Sequence, residues 1–217
     1  MKNILCITYR DWACKIYDML QDTLTGHNFK IIRNRNSYHD DVIAKFKPDI
    51  ILWYGWSWII PKDIVQKYNC ICLHPSPLPK YRGGSPIQNQ IIRNEKVSAI
   101  TIFKMTTAID AGPIIRQLPM SLEGKIEDIY KRMIDLGFSA TYDFLKYEYR
   151  LTPQDQKDMT YFARRKPNES EITQKELATK TAEYLYNKIR MLTDPYPNAY
   201  IKDMYGKKLY ITGAYCE

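Results

Sequence analysis

Short, continuous apolar runs recur along this chain, separated by segments with helical spacing. The apolar runs cover residues 3–9, 29–33, 49–54, 70–73 and 97–104. Helical segments are indicated at residues 12–24, 61–67, 86–93 and 126–147, with a weaker one that ends near residue 46. Largely continuous apolar runs, such as residues 49–54, predict strands covered on both faces. Because they alternate with helices, we expect an α/β fold built from βαβ units around a mostly parallel sheet.

A change of pattern near residues 151–156 predicts a boundary between a larger domain, residues 1–150, and an extension, residues 151–217. In the extension we expect one helix whose inward face carries Leu177, Thr181, Tyr184, Leu185 and Ile189. Two strands around Gly206 predict a hairpin. Two strands alone do not form a stable domain. The hairpin is therefore expected to pack on the sheet domain or on another subunit.

The cysteines and the apolar runs limit the class of protein. The five cysteines form an odd set in mostly apolar surroundings, which favours reduced thiols over a disulfide framework. Cys70 and Cys72 have no second Cys/His cluster near them, so we expect no metal site. No run approaches the roughly 18–20 apolar residues of a membrane span, and the first run is too short for a signal peptide. We expect a cytoplasmic protein with no membrane partner.

A net charge of +8 favours anionic partners, although solubility explains it equally well. The first strand is not followed by the glycine pattern G-x-G-x-x-G; residues 9–12 read Tyr-Arg-Asp-Trp instead. A nicotinamide-dinucleotide site is therefore not expected.

The most informative stretch is residues 70–86, in which a buried strand ends at His74 and a proline-rich loop turns through two glycines into a helix. Ligands of open parallel sheets bind beyond the carboxyl ends of the strands, where a histidine can transfer protons near neutral pH. The alternative is that His74 only ties the strand to the loop. Asp110, in the loop at residues 107–113, favours the chemical role, because a nearby carboxylate orients an imidazole and raises its pKa.

Residues 74–86, together with the Ile109-Asp110-Ala111-Gly112-Pro113 segment, resemble the signature of the folate-dependent formyltransferase family. The spacing between His74 and Asp110 fits that family as well, and the resemblance covers roughly residues 1–150. It implies a Rossmann-like, mostly parallel sheet with helices on both faces in a catalytic domain. It also implies 10-formyltetrahydrofolate as the formyl donor, with His74 and Asp110 as catalytic residues.

The sequence departs from the family at Cys72, where the family pattern has an asparagine that donates a hydrogen bond to the tetrahedral oxyanion. A thiol is a much weaker donor, and the loss of one such donor costs about 10²–10³ in rate. Three readings are open. Another group supplies the bond (a backbone N–H, Ser57 or Asn89), the chemistry relies more on His74, or Cys72 itself carries the formyl group. The last is the least favoured, because buried strand cysteines are usually inert.

The resemblance also assigns binding roles. Residues 54–61 resemble the family's folate-binding loop, which implies folate contacts from Trp56, Trp58, Ile59, Ile60 and Ile109. The two tryptophans could instead be core residues. Substrate contacts are implied for the loop and helix after His74, at Arg82, Gly84, Ser85 and Gln88. Arg82 could bind a phosphate through both guanidinium nitrogens or could brace its own glycine turn.

Residues 81–88, 160–167 and 190–197 resemble the amino-sugar and tRNA branches of the family. The tRNA enzymes carry a further barrel domain, and this sequence has only what resembles its first hairpin. We therefore expect transfer of a formyl group to the 4-amine of a nucleotide-linked 4-amino-4,6-dideoxy sugar, in bacterial surface polysaccharide synthesis. A homodimer without nucleic-acid partners is expected. Four alternatives stay open. The protein could be a glycinamide ribonucleotide formyltransferase or a methionyl-tRNA formyltransferase. It could also be a non-catalytic module that binds a sugar nucleotide or folate, or an RNA-binding protein.

Overall fold

A computed structural model of the chain describes residues 1–192 and 197–216. The strands are β1 (Asn3–Ile7), β2 (Asn28–Ile32), β3 (Ile50–Tyr54), β4 (Cys70–His74), β5 (Arg82–Gly83), β6 (Val97–Lys104), β7 (Ile114–Ser121), β8 (Tyr161–Phe162), β9 (Ala199–Lys202) and β10 (Lys208–Ile211). The helices are α1 (Asp11–Thr23), α2 (Asp40–Phe46), α3 (Lys62–Lys67), α4 (Pro86–Ile91), α5 (Ile126–Lys146), α6 (Gln174–Thr179) and α7 (Ala182–Arg190).

Six strands form the main sheet, in the order β2-β1-β3-β4-β6-β7. The first four are parallel to one another, whereas β6 is antiparallel to both β4 and β7. The predicted α/β class, with a mostly parallel sheet, is therefore confirmed. The carboxyl ends of β1, β3 and β4 meet at one edge of the sheet, and this is where such folds bind ligands.

Alternate residues of the central strands face two separate layers of helices. Ile4 and Cys6 of β1 lie in the larger core with α1 and α5, while Leu5 and Ile7 lie in a second core with α2 and α3. Successive side chains of a strand point to opposite faces, so an all-apolar strand is the expected sequence of a sheet covered on both sides.

Helix α5 packs closely on the strand that ends at His74. A Cβ atom added at Gly137 would lie 2.7 Å from Ile16 Cδ1 and 2.9 Å from Leu73 Cδ1, so a larger residue would require these two side chains to shift. Tyr17 of α1 lies in the same layer, where its buried hydroxyl donates to the Leu52 carbonyl and accepts from the Tyr54 N–H, both at 2.9 Å. The Tyr17 hydroxyl thus provides hydrogen-bond partners for backbone groups of β3 at the end of the β1–β3 ladder, beside the crevice at the edge of the sheet.

Two expectations for local structure are wrong or incomplete. The single helix predicted in the extension is two helices, α6 and α7, because Thr181 caps α7 by accepting from the Tyr184 N–H at 3.2 Å. Thr181 is exposed, and so is Leu177 with 54% of its surface accessible, so neither faces inward. Strand β7 was not predicted, because Pro119 and its polar residues interrupt the apolar run that would indicate a strand. A proline is tolerated there because β7 is an edge strand.

The extension packs on the sheet domain. Ile172, Ile189, Leu192 and Ala199 belong to the same core as α1 and α5. The predicted hairpin is confirmed as the antiparallel pair of β9 and β10, and Ala199 of β9 is its anchor in that core. The motif at residues 190–197 lies partly outside the described residues. Within residues 1–192 and 197–216, no helix has the length and apolarity needed to cross a membrane.

Candidate active site

His74 is the last residue of β4, and its side chain is buried. Its Nε2 lies 2.8 Å from the carbonyl oxygen of Tyr81. Because a carbonyl can only accept, Nε2 carries the proton and donates, and the neutral ring keeps its lone pair on Nδ1. Nδ1 is thus the nitrogen available for proton transfer.

The carboxylate of Asp110 faces that nitrogen. Asp110 Oδ2 lies 3.6 Å from His74 Nδ1 and accepts a hydrogen bond from the Gly83 N–H at 2.8 Å. The longer distance is beyond a hydrogen bond but within range of a charge interaction. Asp110 has a φ of 51°, in the left-handed region that aspartate and asparagine tolerate better than most residues. The structure thus brings the predicted imidazole and carboxylate together.

Asp110 reaches His74 by a route that the parallel-strand argument did not foresee. Because β6 is antiparallel to β4, the loop after β6 starts beside the beginning of β4, where the Met105 N–H donates to the Cys70 carbonyl at 2.8 Å. The loop then folds back along the sheet to Asp110. Gln154 fixes it there by donating to the carbonyls of Asp110, at 2.9 Å, and Gly112, at 2.7 Å.

The loop after His74 is fastened to a segment of the extension. Arg82–Gly83 (β5) and Tyr161–Phe162 (β8) form a short parallel ladder. The Gly84 N–H extends it by donating to the Phe162 carbonyl at 2.8 Å. A Cβ atom at Gly84 would lie 2.4 Å from the Cα of Arg164, so the two backbones can approach only because Gly84 has no side chain.

Arg82 braces this loop and does not line the cavity beside His74. Its guanidinium is buried and donates to Gln154 Oε1 at 2.6 and 3.1 Å and to Gln156 Oε1 at 3.1 Å. The structure therefore favours the bracing role over the predicted phosphate contact. Asn89 is also used internally, since its amide donates to the Gly84 carbonyl at 2.8 Å, and it is not an available oxyanion donor.

Cys72 lies in the wall of the cavity, two residues before His74. Burial, reinforced by the negative charge of Asp110, raises the pKa of the Cys72 thiol well above its ordinary value. Its Sγ lies 3.6 Å from the Leu73 carbonyl oxygen and is oriented to donate to it. A thiol that stays protonated at neutral pH is a poor nucleophile, which argues against a formyl group carried on Cys72.

A cavity of about 620 Å³ opens beside these residues. All four tryptophans of the chain line it, together with the three predicted isoleucines: Trp12, Trp53, Trp56, Trp58, Ile59, Ile60 and Ile109. Trp58 and Ile59 are 45% and 91% exposed, so they form the mouth of the cavity rather than the core. Flat apolar walls of this kind suit an aromatic ring system.

Three of the four predicted substrate residues, Gly84, Ser85 and Gln88, also line the cavity. The Ser85 hydroxyl is used internally, since it accepts from the Arg165 N–H at 3.1 Å. Gln88 is only 2% exposed, and within the described residues its Nε2 has no hydrogen-bond partner. Buried amides are normally hydrogen-bonded. Gln88 is therefore an orphaned donor beside the cavity.

Sequence reasoning missed a set of cavity residues supplied by the extension: Tyr161, Arg164 and Arg165. We call these three residues the rim, and His74, Asp110 and Cys72 the floor. The run of basic residues at 164–166 was visible in the sequence, but nothing local indicated that it meets the cavity. The rim reaches the site through contacts between distant segments, the pairing of β5 with β8 and the hydrogen bond from the Arg165 N–H to the Ser85 hydroxyl.

The sheet, the crevice at its edge and the His74–Asp110 pair define an α/β protein in which an imidazole and a carboxylate meet beside a cavity. Residues 18–143 match the sequence profile of the Formyl transferase family. The chain therefore belongs to this family. The methionyl-tRNA formyltransferase of Rickettsia africae is 32% identical over 172 residues, which are 76% of this chain and 55% of that relative. The chain thus spans about half the length of this relative.

Solved structures give the same fold. A methionyl-tRNA formyltransferase from Clostridium thermocellum has a TM-score of 0.86 and 31% identity, with 97% of both chains covered. A sugar N-formyltransferase from Shewanella sp. has a TM-score of 0.77 and 19% identity, covering 97% of this chain and 96% of that one.

Proposed function

We propose that this protein transfers a formyl group from 10-formyltetrahydrofolate to the 4-amine of a nucleotide-linked 4-amino-4,6-dideoxy sugar. The observation that carries the proposal is the pairing of His74 with Asp110 at the floor of a deep cavity. Membership of the Formyl transferase family supports the formyl chemistry. The cavity fits the donor, since its aromatic and isoleucine walls can enclose the flat ring of a folate.

In the proposed mechanism the floor handles the proton that must leave the attacking amine. The neutral amine attacks the formyl carbon and forms a new C–N bond. His74 Nδ1 accepts the amine proton, and Asp110, 3.6 Å away, stabilises the resulting imidazolium. The bond from the formyl carbon to the folate nitrogen then breaks, and the proton passes from His74 to that nitrogen through water. The walls contribute by holding both reactants at attacking distance.

The direct test is a transfer assay on the purified chain with 10-formyltetrahydrofolate and dTDP-4-amino-4,6-dideoxyglucose. Mass spectrometry of the sugar nucleotide reports the added formyl group, and absorbance reports the release of tetrahydrofolate. We expect one formyl group gained per folate consumed. Folate binding without any transfer to an amine would support a non-catalytic module instead.

Methionyl-tRNA is the second candidate acceptor, because the Clostridium thermocellum protein named for that activity is similar over 97% of both chains. Offering initiator methionyl-tRNA and the sugar nucleotide in parallel separates the two. A kcat/KM for tRNA that exceeds the value for the sugar nucleotide would overturn the sugar assignment but leave the formyl chemistry intact.

A further inference from the structure

The wall of the cavity is strongly asymmetric in charge. It carries four cationic side chains, those of Arg10, Lys62, Arg164 and Arg165, against the single carboxylate of Asp110, counted over the described residues. A concave site with one dominant sign of charge concentrates ligands of the opposite sign. Asp110 already faces His74, so its carboxylate does not offset the positive charge that these four side chains give the wall.

Arg164 is the cation best placed to bind such a ligand. Within residues 1–192 and 197–216, its guanidinium makes one hydrogen bond, to Ser57 Oγ at 3.0 Å, and no carboxylate lies within 4 Å of it. Its neighbour Arg165 differs, since that guanidinium contacts the carboxylate and the carbonyl of Glu169. Ser57 is hydrogen-bonded in turn to the Tyr9 hydroxyl, and the Arg10 guanidinium lies 4.5 Å from the centre of the Tyr9 ring.

Arg164 is also held at a fixed position relative to the floor. Its backbone packs on Gly84, one residue beyond the Gly83 N–H that binds Asp110. A ligand that contacts both Arg164 and His74 must carry an anionic group at some distance from its reacting group. A nucleotide-linked amino sugar has this layout, with a diphosphate on one side of the sugar and an amine on the other.

We infer that Arg164, with Ser57 and the neighbouring Arg10, forms the subsite that binds the diphosphate of the acceptor. This inference rests on the proposed function. The planar guanidinium can bind two phosphate oxygens at once, and the Ser57 hydroxyl adds a further donor. In this proposal the phosphate contact that the sequence predicted for Arg82 is made by Arg164 of the extension.

The test uses inorganic pyrophosphate and dTDP as probes and the tryptophan fluorescence of the full chain as the signal, since all four tryptophans line the cavity. In Arg164→Gln we expect the dissociation constant of pyrophosphate to rise about tenfold, which corresponds to about 1.4 kcal/mol. Lys166→Gln is the matched control: it removes the same charge from an exposed residue outside the cavity and should bind pyrophosphate normally. Equal dissociation constants in the two variants would overturn the subsite.

A second arm separates the acceptor diphosphate from the glutamate carboxylates of the folate. In Arg164→Gln the KM for the sugar nucleotide should rise about tenfold, while the KM for mono- and triglutamylated folate stays unchanged. A rise in the folate KM alone would overturn the inference, because Arg164 would then bind the donor. If the wild-type chain transfers no formyl group but binds pyrophosphate through Arg164, the proposed function fails and the anion subsite stands.

Discussion

The floor and the rim of the cavity are built in different ways. The floor lies on or beside the sheet, with His74 buried and Asp110 and Cys72 partly buried, and His74 Nε2 and Asp110 Oδ2 each have a backbone hydrogen-bond partner. The rim consists of more exposed side chains on a segment of the extension, joined to the sheet domain by a two-residue ladder. Under the proposed function, the floor performs the chemistry and the rim binds the acceptor, so the two regions can be tested separately.

The largest expected effect comes from the floor. His74→Ala removes the group that accepts the amine proton, so kcat should fall by about 10²–10⁴-fold. Steady-state kinetics measure this, and His39→Ala, at an exposed histidine, is the control. A variant with wild-type turnover would place the reacting centre elsewhere.

Asp110→Asn tests the charge of the floor without disturbing the loop. Asparagine tolerates the left-handed φ at this position and can still accept from the Gly83 N–H. We expect kcat to fall by about 10²-fold, because a carboxylate 3.6 Å from His74 Nδ1 stabilises the imidazolium formed during proton transfer. If the melting temperature drops while kcat is unchanged, Asp110 is only a loop anchor.

The junction between floor and rim can be broken at Gly84. Gly84→Ala places a Cβ atom 2.4 Å from the Cα of Arg164, so the free energy of unfolding should fall by about 1–3 kcal/mol. Urea denaturation measures this against Gly213→Ala, where a Cβ atom would meet nothing within 4 Å. The KM for the acceptor should also rise. Unfolding free energies that match for the two variants would show that the two backbones can separate without cost.

The smallest expected effect is a gain. Cys72→Asn restores the amide donor of the family and should raise kcat about tenfold if the oxyanion lacks a donor. Cys72→Ala should leave turnover within about threefold, because a thiol is a weak donor. An inactive Cys72→Ala variant would revive the covalent reading, and mass spectrometry of the chain would then detect the acyl adduct.

The floor could be predicted from the sequence because its signals are local. An all-apolar run ending at His74 marks the strand, and the resemblance identifies Asp110. The path of Asp110 was missed because the direction of β6 depends on which strand it pairs with, and no local pattern records that. The rim was missed for the same reason, since Arg82 and Tyr161 become neighbours only through a pairing between distant segments. The break at Thr181 is a local capping signal that the apolar spacing concealed.

Gly83 has an unusual position: its N–H donates to the carboxylate of Asp110, and its register partner, Phe162, lies two residues before Arg164. A shift of the backbone at residues 160–164 would therefore move Gly83 and, through its N–H, the carboxylate of Asp110. Grafting this segment from a relative with another acceptor would alter selectivity and turnover together. An engineered change of acceptor in this scaffold should thus begin with side chains, leaving the main chain at residues 160–164 untouched.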